Sequence, residues 1–142
     1  MDSIIPFDKQ EIIDENRKEI EERLAKNPSA AEAFCVSEER LDEVLGMVGN
    51  VGNDLEFLDK MITKAAYFLG GLAWAQPFCG GNKSTALLMT MVFLQDNGLT
   101  MEIQESDEAC LIDLLYEVQT DRANLSHETI QKLILYMKKK IF

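Results

Sequence analysis

Basic side chains are scarce in this sequence. Fourteen lysines and arginines stand against 25 aspartates and glutamates, for a net charge of −11. A protein that grips nucleic-acid backbone needs a basic face, so that role is excluded. Long apolar runs are missing as well: none approaches the roughly 18 residues of a membrane span. The opening "MDSIIPFDKQEIIDE" is acidic, unlike the basic start of a secretory or transit peptide. Cysteine is limited to Cys35, Cys79 and Cys110, odd in number, far apart and without a CxxC pair. That pattern predicts no disulfide framework, reduced thiols and a cytoplasmic protein. Period-two alternation never persists beyond about four residues, which argues against a β-sheet.

What is present points to helices. A chain of 142 residues that is 46% hydrophobic suits one compact domain with a core of its own. Ile12, Ile13, Asn16, Ile20 and Leu24 mark one face of a first helix whose other side is charged. The proline of "NPS" ends it. Ser37 reads as the N-cap of a second helix, with Leu41, Val44, Leu45 and Val48 at helical spacing. "GNVGND" breaks that helix, and Asn53 with Glu56 reads as a capping pair for the third. Over residues 55–75 the third helix turns apolar all round, which places its end in the core. Residues 82–96, "NKSTALLMTMVFLQD", make another apolar helix, stopped by Asn97 and Gly98. "LTMEI" follows as a short extended connector. Ser106 then caps a fifth helix, and Ser126 a last one that closes on three lysines. The expected fold class is all-α: a compact single domain whose two central apolar helices are joined by a loop. Residues 1–53 form an acidic N-terminal helical segment packed on or flanking a core of residues 54–142.

The joining loop, "QPFCGGNKSTALL", carries the chemistry. It lies in the one net-positive part of the chain, where Lys60, Lys64 and Lys83 face Asp96 alone across residues 60–101. The first turn of a helix has unpaired N–H groups and a partial positive charge that attract anions. Glycines let that backbone approach an oxygen closely. Gly80, Gly81, Asn82, Lys83 and Ser84 therefore form a candidate phosphate or nucleotide cradle. On the plainer reading, the glycines make a tight turn, Asn82 caps the helix and Lys83 is solvated.

The stretch "AWAQPFCGGNKSTALLMTMVFLQDNGL" resembles the signature of the Fic/Doc (Fido) family, roughly His-Pro-Phe-x-(Asp/Glu)-Gly-Asn-(Gly/Lys)-Arg, continued in the Doc branch by Thr-Ala-Leu. Pro77, Phe78, Gly81, Asn82, Lys83, Thr85, Ala86 and Leu87 match in register, and the similarity extends over residues 55–142. The resemblance implies a small all-helical fold and transfer of AMP, or in the Doc branch a phosphate, from ATP to a protein hydroxyl. In such proteins the histidine takes the hydroxyl proton, the acidic residue holds Mg²⁺, and the loop amides with the arginine stabilise the transferred charge.

Each of those side chains is replaced here. Gln76 stands at the histidine position, and an amide accepts no proton near neutral pH. Gly80 stands at the acidic position, so the motif holds no Mg²⁺ ligand, and Ser84 stands at the arginine position. No catalytic residue is therefore assigned. His127 reads as an exposed helix-start residue, Cys79 as a small buried or half-buried residue, Phe78 as packing under the loop, and Trp74, Met89 and Met91 as core or pocket wall. The resemblance implies three functions: a degenerate member that binds ATP or another anion without transfer, a transferase of altered mechanism, or a structural interaction domain. The acidic N-terminal helix is a candidate surface for a basic protein partner, as in a toxin–antitoxin pair, or simply a solvated face.

Overall fold

The computed structural model describes residues 3–29 and 33–142. Among these residues six α-helices follow in order: α1 Lys9–Lys26, α2 Glu38–Asn50, α3 Phe57–Ala75, α4 Asn82–Asp96, α5 Glu108–Gln119 and α6 His127–Lys138, with a 3₁₀ turn at Glu105–Asp107 before α5. Among the described residues the extended backbone amounts to two isolated antiparallel bridges, Val36 with Phe78 and Met101 with Ile141. The all-α expectation holds.

Helix α3 is the axis of the bundle. Thirteen of its 19 residues are buried, against α4 on one side, α2 on another and α5 and α6 beyond. Two glycines allow that crowding. A Cβ at Gly70 would overlap Ile130 Cδ1 of α6, and one at Gly71 would lie 2.8 Å from Met47 Cε of α2. The helices thus approach α3 more closely than any larger residue at these positions permits.

Capping explains most helix limits, with three departures from expectation. Ser37 and Ser126 do cap α2 and α6, accepting from Arg40 N–H at 3.4 Å and Thr129 N–H at 3.1 Å, and Gly98 takes φ 82° after α4. Asn53 and Glu56 do not form a box. The Asn53 amide turns back to donate to the Gly49 carbonyl at 3.0 Å, leaving Glu56 as an N-cap without a side-chain bond. Ser106 lies inside the 3₁₀ turn, so Asp107 takes the N-cap position of α5. Asn82 is the first residue of α4 rather than its cap, which is Gly81 at φ 71°.

The N-terminal segment is tied down before α1 begins. Ile5 N–H donates to Asn97 Oδ1 at 2.8 Å, and Asn97 Nδ2 donates back to Ile5 O at 2.9 Å. This two-bond clasp at the end of α4 holds the Phe7 ring between Phe68 and Phe93, at centroid distances of 3.8 and 4.0 Å. Asp8 caps α1 through Glu11 N–H at 3.0 Å. Helix α1 then packs Ile12, Ile13, Asn16 and Ile20 inward and contacts α4.

Candidate anion-binding site

The motif loop begins with strain. Gln76 ends α3 in the left-handed conformation at φ 48°, the one non-glycine residue with positive φ among the described residues. Two guanidinium groups hold the carbonyls that α3 leaves unpaired at this end. Arg122 Nη1 donates to Trp74 O at 2.9 Å, and Arg40 Nη1 to Ala75 O at 3.4 Å. Trp74, half-buried, donates its indole N–H to Asp121 O at 2.9 Å. Phe78 is buried beneath the loop, as its sequence position suggests, and Met89 packs in the core.

The loop fastens itself through Asn82. Its Oδ1 accepts from Phe78 N–H and its Nδ2 donates to Phe78 O, each at 3.0 Å. Cys79 is bonded elsewhere: it forms a disulfide with Cys35, 44 residues away, with Cα atoms 5.3 Å apart. This overturns two expectations, the reduced thiols and the burial of Cys79, which is exposed. The physical cause is a short antiparallel pairing that brings the two segments together. Ser37 N–H donates to Pro77 O at 2.7 Å, and Cys79 N–H donates to Cys35 O at 3.3 Å. Cys110 remains a free, exposed thiol. Closing a loop of that length stabilises by roughly 2–4 kcal/mol in the chain-entropy picture. Cys79→Ser is expected to lower the melting temperature by several degrees, and reductant to do the same to the native protein alone. Three titrating thiols in the folded, unreduced protein would contradict the bond.

Helix α1 supplies what the local sequence does not show. Asn16, wholly buried, donates from Nδ2 to Gly80 O at 2.8 Å and to Thr85 Oγ1 at 3.1 Å. One turn on, Glu19 reaches the start of α4. Its Oε1 accepts from Ser84 Oγ at 2.5 Å and its Oε2 from Thr85 Oγ1 at 3.2 Å. A Cβ on Gly81 would lie 3.2 Å from that Oε2, so glycine is what lets the carboxylate in. Arg23 pairs with Glu19 at 2.6 Å and lies 3.5 Å from Ser84 Oγ. A guanidinium thus stands beside position 84, delivered by a different helix.

Arg23, Gln76, Gly81, Asn82, Lys83 and Ser84 line an open pocket of about 360 Å³. The cradle residues expected from sequence do converge there, except Gly80, which is buried behind it. No described side chain caps the first turn of α4, and the unpaired N–H groups of a helix start are the kind that attract anions. The Lys83 ammonium rests 4.5 Å from the Tyr116 ring centroid, and burial lowers its pKa from the usual lysine value. His127 is far from the pocket in its contacts: it is exposed and shares a 3.0 Å hydrogen bond with the Tyr67 hydroxyl on α3. Mg²⁺ of the kind such motifs hold does not fit these residues. The carboxylate that comes to the loop is Glu19, already engaged by Arg23, Ser84 and Thr85.

A family model described as the Fic/DOC family matches residues 6–94, a span that takes in α1 and α2 as well as the motif loop and α4. No curated protein and no solved structure matches the chain significantly.

Proposed function

The chain belongs to the Fic/DOC family, and from that premise we propose that it is a member working by binding rather than by transfer. Its ligand is an oxyanion, with the phosphates of ATP as the leading candidate, seated on the open first turn of α4. That uncapped turn, with Arg23 beside it, is the observation that carries the reading. Of the groups for turnover only the guanidinium has a stand-in, Arg23, and neither a general base nor a metal-binding carboxylate is among the pocket's lining residues. Gln76 has no proton-accepting atom near neutral pH, and no imidazole lines the pocket. The ligand competes with Glu19, whose carboxylate occupies the ground where an oxyanion would draw on the helix dipole.

Titrating the protein with ATP and with inorganic phosphate tests this by calorimetry and by melting temperature, since a ligand specific to the folded state must raise the latter. ATP is expected to bind weakly and to weaken further with added salt. Glu19→Gln is expected to tighten it by roughly tenfold, as one charge near the site is removed. Arg23→Ala is expected to weaken it. No label from ATP should appear on any protein.

One observation favours a second reading. Glu19 already satisfies both Ser84 and Thr85, so the site is complete without a ligand. A wild type and a Glu19→Gln variant both blind to ATP and phosphate would make the chain an interaction domain, whose exposed acidic α1 face meets a basic partner.

A further inference from the structure

Lys64 stands in the middle of α3 with only 8% of its surface exposed. Its ammonium donates to the Val48 carbonyl at 3.0 Å and meets no described carboxylate. An ammonium has three donors and a full charge, and one carbonyl leaves most of both uncompensated. Buried charges of this kind are costly unless paired. Burial, with Lys60 one turn away, pushes the Lys64 pKa below the usual lysine value, in keeping with an ammonium that lacks a counter-ion.

The same side chain lines a cavity of about 280 Å³ whose walls are otherwise mostly apolar: Ile4, Phe7, Leu45, Val48 and Phe93. That size sits near the lower end of the roughly 300–1,000 Å³ typical of small-molecule sites. The cavity belongs to the far end of α4. Phe93 lies more than two turns beyond the motif loop, on the order of 15 Å along the helix axis. It is therefore separate from the oxyanion pocket, and the two can be tested independently.

We propose that this cavity binds a medium-chain aliphatic carboxylate. The tail lies against Phe7 and Phe93, and the carboxylate accepts the free hydrogen bonds of the Lys64 ammonium. A neutral apolar ligand would leave the charge unpaired, and a polyphosphate would have to desolvate against aromatic and aliphatic walls. A carboxylate with a short tail meets both demands.

Octanoate, octanol and octylamine serve as probes in calorimetric titrations of the full chain. Octanoate is expected to bind at least about tenfold more tightly than octanol, the usual worth of a hydrogen-bonded charge. Octylamine should not bind. Lys64→Met, close in length and apolar, should erase the preference for octanoate while octanol binding survives. Should that variant fail to fold, nitrogen-15 lysine spectra of the native protein replace it: one ammonium resonance should shift with octanoate and not with octanol. Equal affinity for octanoate and octanol, octanoate binding unchanged in Lys64→Met, or no binding at all overturns the proposal. None of these outcomes bears on ATP at the α4 turn.

Discussion

Phe68→Ala is expected to destabilise the fold by about 3–5 kcal/mol, the range for deleting a buried aromatic ring. Phe68 is completely buried at the centre of α3. Its ring stacks on Phe7, which stacks in turn on Phe93 of α4. Removing the middle helix's contribution opens a cavity beneath Phe7 that backbone atoms cannot fill, because the Ile5–Asn97 clasp fixes the segment in place. For a chain of this size the melting temperature should fall by roughly 10 °C or more. Phe68→Leu, nearer in volume, should cost under about 2 kcal/mol. Scanning calorimetry of the two variants checks both values. A fall of only a few degrees for the alanine variant would mean that the N-terminal segment collapses into the space, and the three-ring stack would then be dispensable.

The helices were legible because each buries an apolar stripe at a spacing the backbone dictates. The stripe of α1 is the best case: Ile12, Ile13, Asn16 and Ile20 lie buried, as their positions predict, while Leu24, the last of the stripe, is half-buried. Cap residues were legible only where no neighbour competed. Ser37 and Ser126 cap as expected, whereas Asn53 found a closer partner in the Gly49 carbonyl, one turn back. Such contests are settled by local geometry that a residue type does not encode. The disulfide was illegible for a different reason. Cys35 and Cys79 meet through the pairing of Val36 with Phe78, two segments that share no sequence pattern.

At the site, the loop could be read and its surroundings could not. Gly81, Asn82, Lys83 and Ser84 do share one pocket. Asn16, Glu19 and Arg23 come to it from more than 60 positions earlier, on a helix whose sequence reads as an acidic segment packed on or flanking the core. One signal was present: Asn16 is a polar residue on an otherwise apolar stripe. A buried amide nitrogen must find acceptors, and here they are the Gly80 carbonyl and the Thr85 hydroxyl. Glu19 and Arg23, at i and i+4, look like any surface ion pair.

Rebuilding the motif by Gln76→His, Gly80→Asp and Ser84→Arg is expected to give little transfer of label from ATP, and adding Glu19→Gln to give much more. The reason lies in the 2.5 Å bond between Ser84 Oγ and Glu19 Oε1. An arginine at position 84 would meet that carboxylate first. A guanidinium and a carboxylate at such range form a strong two-bond pair, which would turn the new donor away from a phosphate. Arg23, which now holds Glu19 at 2.6 Å, would have to share that carboxylate with the new side chain. Replacing Glu19 by glutamine keeps the shape and removes the charge. The restored histidine alone is worth roughly 10²- to 10⁴-fold as a general base, so the fourfold variant should exceed the wild type by at least about 10². Autoradiography with labelled ATP and a mixture of candidate protein acceptors, including the chain itself, measures both. If the triple variant transfers as well as the fourfold one, Glu19 does not obstruct the site. If neither transfers, the fault lies in the backbone. Gly80 is buried behind the pocket, with its carbonyl held by Asn16. The loop would then have diverged from a working shape along with its side chains.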